Sequence, residues 1–255
     1  MWSVVSSPVC PAVGGRSVPA NAGFAPPGME GNAETGQSDP APVPPATKGP
    51  RMPAFHYAAD APRQPDGSVM VLLHGTGGSE RDLMPLARHL APRATLLGLR
   101  GRSTEEGATR WFRRLSMTRF DQDHIRAEAD AFAEALPAIL REAGLDGGAD
   151  TVPVVMGYSN GANFAGAVMA RHPGLIRRAV LIRPMLALET PPRVDLTGLE
   201  VLTLTGAHDP YGPHAAALND WLRASGAALT AKRIHAGHEV AQADLDAAAA
   251  WLATA

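Results

Sequence analysis

The sequence predicts an α/β fold in which a mainly parallel central sheet is flanked by helices. Two observations lead to this prediction. From residue 54 onward, short apolar runs alternate with amphipathic segments of helical periodicity. The runs are rich in β-branched residues and apolar at successive positions, which is typical of strands whose two faces are both covered by helices. Strand and helix alternate throughout, so we expect an α/β arrangement rather than separate all-α and all-β parts.

Six apolar runs are the predicted strands of the sheet. They lie at residues 68–73, 94–99, 152–157, 179–182, 199–205 and, more weakly, 229–234. A further strand opening near residues 53–57 is expected if the chain begins biologically at Met52. The parallel arrangement would bring the carboxyl ends of the runs to one edge of the sheet, where the polar motifs of this sequence also lie.

The predicted helices lie between these strands. Ser79 predicts an N-cap for a helix with apolar residues at helical spacing. Asp121 is expected to cap a long helix over 122–143, in which Pro137 implies a kink or a break. The remaining helices are predicted at 160–171, 213–225 and 239–253. The link over 183–198 is short and lacks a helical pattern, so we expect no large lid domain.

The first 50 residues differ in composition from the rest of the chain. They are rich in proline, carry scattered glycine and serine, and show no strong hydrophobic periodicity. Such a stretch cannot bury enough apolar surface to offset its ordering entropy. We therefore predict a disordered leader over 1–52 and one folded domain over 53–255. A signal peptide and a biological start at Met52 are the alternatives; Pro8, Pro11 and the absence of an early basic residue disfavour the signal peptide.

Composition excludes several classes of function. The 23 basic and 25 acidic side chains nearly balance, which gives no electrostatic footprint for nucleic acid or an anionic membrane. The single cysteine, Cys10, excludes an intrachain disulfide framework and a thiolate metal cluster. The sequence has neither an apolar run of about 18 residues nor a metal-binding spacing such as H-E-x-x-H. We therefore expect a cytoplasmic protein without a membrane span, a nucleic-acid partner, a metal or another cofactor.

One glycine-flanked serine is the candidate nucleophile. Gly157-Tyr158-Ser159-Asn160-Gly161 matches G-x-S-x-G and lies between a predicted strand and a predicted helix. The glycines permit the sharp turn that lifts a serine hydroxyl above the sheet. We predict that Ser159 is the nucleophile; a glycine-rich turn with an incidental serine is the alternative.

Such a serine needs a histidine to take its proton and an acid to orient that histidine. Asp209 follows the fifth apolar run and His238 follows the sixth, so the chain order is nucleophile, acid, histidine. His235 is a rival for His238, but Gly237 frees the backbone of the loop that presents His238. Asp209 is alternatively a helix or turn cap.

Two backbone amides are predicted to stabilise the oxyanion that forms during acyl transfer. One belongs to Asn160, at the start of the helix after the nucleophile, where the helix dipole is favourable. The other comes from the glycine-rich loop over 74–78, where Thr76 is the candidate. This loop matches neither G-x-x-x-x-G-K-[ST] nor G-x-G-x-x-G, which disfavours a nucleotide site.

Taken together, these motifs resemble the phospholipase/carboxylesterase branch of the α/β-hydrolase superfamily. The matching segments are 73–78, 157–163, 206–210 and 237–238. Arg100-Gly101, the segment 110–114 and Asn163 also resemble the hydrolases associated with methylhydroquinone resistance. The resemblance covers residues 54–255 and implies an α/β-hydrolase fold with no cofactor. It also implies a triad of Ser159, Asp209 and His238 and an oxyanion hole formed by Thr76 and Asn160.

The predicted function is that of a serine carboxylesterase that cleaves small soluble esters through an acyl-enzyme on Ser159. We predict that Trp111, Phe112, Met185 and Tyr211 line the acyl or aryl pocket, although simple packing onto the sheet is the alternative for the two aromatic neighbours. An acyl-protein thioesterase or lysophospholipase, a C–C bond hydrolase or perhydrolase, and a non-catalytic binder are the functional alternatives. A homodimer also stays open, since some members of this branch form dimers.

Overall fold

The computed structural model describes residues 55–145 and 153–254 of the chain. The leader predicted over 1–52 lies outside these residues, so its disorder and the domain boundary at 53 stay predictions. Within the described part, none of the helices is long and apolar enough to cross a membrane.

In the part of the chain that the structure describes, a seven-stranded sheet forms the centre of the fold. Its strands are β1 (Tyr57–Asp60), β2 (Val69–Leu73), β3 (Thr95–Leu99), β6 (Val154–Tyr158), β7 (Arg178–Ile182), β8 (Glu200–Gly206) and β9 (Ala228–Ile234). A separate two-stranded hairpin contains β4 (Ser103–Glu105) and β5 (Ala108–Arg110). The main sheet has the order β1-β3-β2-β6-β7-β8-β9, and all its neighbours pair in parallel except β1 and β3. The predicted mainly parallel sheet is confirmed.

Within residues 55–145 and 153–254, five helices flank this sheet. They are α1 (Met84–Leu90), α2 (Gln122–Glu142), α3 (Asn160–Arg171), α4 (Gly212–Ala224) and α5 (Gln242–Leu252). One apolar layer includes Phe132 of α2, Phe164 of α3 and Leu218 of α4. A second layer includes Ala87 of α1 and Ala248 of α5. The two layers cover opposite faces of the sheet, which explains why its central strands are apolar at successive positions.

Two helix starts and one internal proline test the sequence predictions. The carboxylate of Asp121 accepts a hydrogen bond from the His124 amide at 3.0 Å, so the predicted cap of α2 is confirmed. The helix continues through Pro137 without a break; burial of its apolar face compensates for the hydrogen bond that proline cannot donate. By contrast, α1 begins later than predicted. The Ser79 hydroxyl donates to Asp82 at 2.6 Å within a turn before the helix, instead of capping it.

The connection between β7 and β8 contains no helix or strand over 183–199. The fold therefore has no large lid domain over the carboxyl edge of the sheet in the part of the chain that is described. The hairpin of β4 and β5, which the sequence analysis did not predict, lies between β3 and α2. It contacts the loop after β2, as described below, and so helps to build the same edge.

Candidate active site

Ser159 lies in a strained turn between β6 and α3. Its backbone has φ 49° and ψ −112°, a conformation that L-residues rarely adopt. The Ser159 amide donates to the Ile182 carbonyl at 2.8 Å, and the Ser159 carbonyl accepts from the Asn163 amide at 2.9 Å. The strained backbone is therefore held from both sides, by β7 and by the first turn of α3, while its side chain stays partly accessible.

The two glycines of the motif are required by close backbone approach. A Cβ atom on Gly157 would lie 2.8 Å from the Ala162 amide nitrogen, and one on Gly161 would lie 2.0 Å from the Leu73 carbonyl oxygen. Both contacts are shorter than non-bonded atoms tolerate. The G-x-S-x-G motif therefore has a steric reason here, which disfavours an incidental glycine-rich turn.

The three side chains predicted to form the triad meet at the carboxyl edge of the sheet. Nε2 of His238 lies 2.9 Å from the Ser159 hydroxyl, and Nδ1 of His238 lies 2.9 Å from Oδ2 of Asp209. The Asp209 side chain is 2% exposed, whereas that of His238 is 32% exposed. The buried carboxylate favours a proton on Nδ1, which leaves Nε2 as the acceptor for the serine proton.

Asp209 also organises its own loop. Its Oδ1 atom accepts from the Tyr211 amide at 2.9 Å, next to the start of α4. One carboxylate oxygen therefore caps the turn, as the alternative prediction had it, while the other faces His238. The rival histidine lies elsewhere: Nε2 of His235 is 3.2 Å from Nε2 of His208. The structure thus brings His238, and not His235, to the serine.

The predicted oxyanion loop over 74–78 is fixed by the hairpin and by the residue after it. The Gly77 amide donates to the Thr109 carbonyl at 2.8 Å, and a guanidinium nitrogen of Arg110 donates to the Thr76 hydroxyl at 3.1 Å. The Trp111 indole donates to the His74 carbonyl at 2.9 Å. The Thr76 amide has no hydrogen-bond partner within residues 55–145 and 153–254, which leaves it available to an oxyanion.

Asn160 is the first residue of α3, so its amide is one of those that have no acceptor within the helix. Its side chain has a second role that the sequence did not indicate. Oδ1 of Asn160 accepts from the Trp111 amide at 2.9 Å, and the residue is 3% exposed. The start of α3 and the loop over 74–78 are therefore both hydrogen-bonded to Trp111.

His74 is a further residue whose role the sequence analysis missed. Its Nδ1 donates to the Gly75 carbonyl at 2.6 Å, and its Nε2 accepts from the Gly101 amide at 3.0 Å. Burial lowers the pKa of His74 below its usual value, which keeps the ring neutral as this pair of bonds requires. Its position directly after a buried strand was the available signal.

Three of the four predicted pocket residues are in the core. Trp111 and Phe112 are both 0% exposed, and Trp111 stacks on Phe164 with ring centroids 4.8 Å apart. A fully buried ring cannot line an open pocket, so the prediction for these two residues is wrong. Both rings pack in the core instead, where large aromatic side chains bury the most apolar surface. Met185 is likewise in this core, 6% exposed. Tyr211, by contrast, is half-buried beside His238, with ring centroids 5.2 Å apart.

A parallel sheet with a serine in a strained strand–helix turn, and with a histidine and an acid on later loops at the same edge, defines the class of α/β hydrolases. Within the described residues, no group of three or more His, Cys, Asp or Glu side chains could hold a metal ion.

Comparison with known proteins agrees with this class. No protein-family model matches the chain. The chain is 32% identical over 186 residues to MhqD of Bacillus subtilis (strain 168), a protein named as a hydrolase; the match covers 72% of this chain and 92% of that protein. The chain belongs to the α/β-hydrolase superfamily, in its phospholipase/carboxylesterase branch.

Solved structures give the same result. A carboxylesterase from Mesorhizobium loti has 40% sequence identity and a TM-score of 0.74, over 79% of this chain and 95% of that chain. The Bacillus cereus carboxylesterase has 29% identity and a TM-score of 0.73, over 78% and 94%. Acyl-protein thioesterase 2 of Zea mays shares the fold at 20% identity, with a TM-score of 0.62 over 78% and 98%.

Proposed function

We propose that this hydrolase is a serine carboxylesterase in which Ser159 is the nucleophile, His238 the general base and Asp209 the residue that orients the imidazole. The main support is the pair of 2.9 Å contacts that join His238 to Ser159 on one side and to Asp209 on the other. The strained backbone of Ser159 and the similarity to two carboxylesterases also support it.

In the proposed reaction, the Ser159 hydroxyl oxygen attacks the ester carbonyl while Nε2 of His238 takes its proton. The Asp209 carboxylate stabilises the imidazolium that results. The amides of Thr76 and Asn160 donate to the oxyanion of the tetrahedral intermediate. His238 then gives the proton to the departing alcohol, which leaves an acyl group on Ser159. A water molecule, deprotonated by His238, then attacks that acyl group; as the bond to the Ser159 oxygen breaks, His238 returns the proton to that oxygen and the acid is released.

Small soluble carboxylic esters are the proposed substrates. Within the described residues, the connection over 183–199 between β7 and β8 contains no helix or strand, and the His238 side chain is 32% exposed. The described fold thus offers no lid under which a long acyl chain would be buried. Thioesters are a second candidate, because the likeness to a plant acyl-protein thioesterase extends through the fold, and the same residues would cleave either bond.

A fluorophosphonate probe, which phosphonylates activated serines, tests the proposal directly. We expect labelling of the wild type at Ser159 and a burst of p-nitrophenol from short-chain p-nitrophenyl esters. Ser159→Ala should abolish both. Ser116→Ala is a suitable control, since Ser116 is an exposed serine on the loop before α2. Hydrolysis at the wild-type rate by Ser159→Ala, or labelling at another residue, would show that the proposal is wrong.

A further inference from the structure

A buried arginine lies directly after β7, beside the candidate nucleophile. The carbonyl of Ile182, the last residue of β7, accepts from the Ser159 amide, and Arg183 follows with a positive φ of 54°. The guanidinium of Arg183 forms a bidentate pair with Asp244 of α5, at 2.8 Å to Oδ1 and 2.7 Å to Oδ2. Both side chains are 0% exposed. The pair therefore fixes the guanidinium in one orientation, in a strained stretch of backbone.

The remaining donors of Arg183 hold the loop that carries His238. Nε donates to the Gly237 carbonyl at 2.8 Å, and Nη2 donates to the Glu239 carbonyl at 2.8 Å. A longer bond of 3.2 Å joins Nη1 to the Leu204 carbonyl on β8. With the two bonds to Asp244, all five N–H donors of the guanidinium are used. Arg183 is thus hydrogen-bonded to the carbonyl groups of the residues on both sides of His238.

The carbonyl of His238 itself is held by Tyr158. The Tyr158 hydroxyl donates to this carbonyl at 3.0 Å, and the tyrosine ring lies 5.7 Å from the imidazole ring. Burial raises the pKa of Tyr158, so its hydroxyl keeps the proton that it donates. Tyr158 is the last residue of β6 and directly precedes Ser159. Three consecutive carbonyls, at 237, 238 and 239, are therefore anchored to the two strands that position Ser159.

We propose that Arg183, locked by Asp244, acts together with Tyr158 as the positioning device that sets the His238 imidazole against the Ser159 hydroxyl. The inference rests on the proposed function, in which His238 is the general base. A buried ion pair adds little net stability over an apolar pair of similar volume, because desolvation of both charges offsets their attraction. Its five directed hydrogen bonds do fix geometry, and an active site needs its base held within a fraction of an ångström.

Two conservative substitutions test this role. Arg183→Lys keeps the positive charge for Asp244 but presents a single nitrogen, which cannot hold the carbonyls of Gly237 and Glu239 together. Tyr158→Phe removes only the hydroxyl. Arg178→Lys is the matched control: Arg178 begins the same strand, donates to Glu200 and to the Trp251 carbonyl, and lies at the opposite edge of the sheet.

We expect Arg183→Lys to lower kcat per labelled active site by about 10- to 100-fold, the loss that a shift of about 1 Å produces, with KM little changed. Tyr158→Phe should lower kcat in the same way by a smaller factor. In both variants, amide hydrogen exchange over residues 236–241 should become faster. Arg178→Lys should lower the Tm but leave kcat, KM and this exchange as in the wild type.

The exchange measurement separates this inference from the proposed function. Unchanged exchange and unchanged kcat in Arg183→Lys and Tyr158→Phe would overturn the positioning role, whatever Ser159 does. If Ser159→Ala hydrolyses esters normally, the proposed function is wrong, and faster exchange would then show only that the loop is held. If Arg183→Lys does not fold, Tyr158→Phe decides: wild-type kcat and exchange in that variant overturn the inference.

Discussion

Trp111 offers a direct test of the corrected role for the aromatic segment after the hairpin. Its indole is 0% exposed, stacks on Phe164 and donates to the His74 carbonyl at 2.9 Å. Trp111→Phe keeps an aromatic ring at the position but removes the N–H donor and part of the ring. We expect this variant to be less stable and to retain the chain-length preference of the wild type, because the side chain packs the core and does not contact substrate.

Two contributions set the expected loss of stability. The exchange of indole for phenyl leaves a void of about 40 Å³, which costs about 1 kcal/mol. The His74 carbonyl loses its buried donor, which costs about 1–3 kcal/mol. A total of about 2–4 kcal/mol corresponds to a fall in Tm of about 4–16 °C for a domain of this size. If the loop over 74–78 supplies the proposed oxyanion donor, its loosening should also lower kcat for all esters by a similar factor.

Urea unfolding and a series of p-nitrophenyl esters of increasing chain length measure these two effects. Trp221→Phe is the control for the hydrogen bond, since the Trp221 indole donates to the Pro192 carbonyl at 3.0 Å in an exposed setting, where water can replace it. A Trp111→Phe variant with unchanged stability and a shifted chain-length preference would refute the core assignment and restore the pocket role.

Two further predictions concern the backbone strain at Ser159 and the loss of stability at acidic pH. Ser159→Gly should be about 1–2 kcal/mol more stable than Ser159→Ala, because glycine adopts the positive φ of this turn without the steric cost that a Cβ atom adds; equal stability by calorimetry would contradict the strain. The lowered pKa of buried His74 means that the unfolded chain binds its proton more readily than the folded one. Stability should therefore fall as the pH drops below about 6.5, where an unfolded histidine titrates. The urea concentration at the midpoint of unfolding, measured against pH, reports this loss of stability. His74→Gln should make the midpoint depend less on pH; an unchanged pH dependence would show that other groups cause the loss.

Local signals in the sequence were sufficient for much of the fold. The bounds of α3 agree with the predicted 160–171 because the glycine motif fixes its start sterically. Asp121 identified the start of α2 because a carboxylate cap acts over three residues. The β4–β5 hairpin was missed since each of its strands has only three residues, too few for a detectable alternation.

The support around the candidate site could not be predicted in the same way. Chain order and strand ends are enough to nominate Ser159, Asp209 and His238. Arg183 is separated in sequence by 54 and 56 residues from the carbonyl groups that it binds in the His238 loop, and by 61 residues from Asp244. No spacing rule connects such partners, because only the tertiary fold makes them neighbours. The burial of Trp111 has the same origin: its sequence neighbours are Arg110 and Phe112, while its contacts come from α3 and the loop after β2.

The register of the sheet has a consequence for engineering and for divergence within the superfamily. One row of paired residues crosses five parallel strands, through Leu73, Gly157, Leu181, Thr203 and Ala231. Inserting or deleting one residue within a strand would displace the following loop by about 3.3 Å and turn its side chains to the other face. Length changes in the loops leave this row intact. Grafts that alter substrate access therefore belong in the exposed stretch between Glu189 and Asp195, where added chain would disturb neither the alignment nor the core.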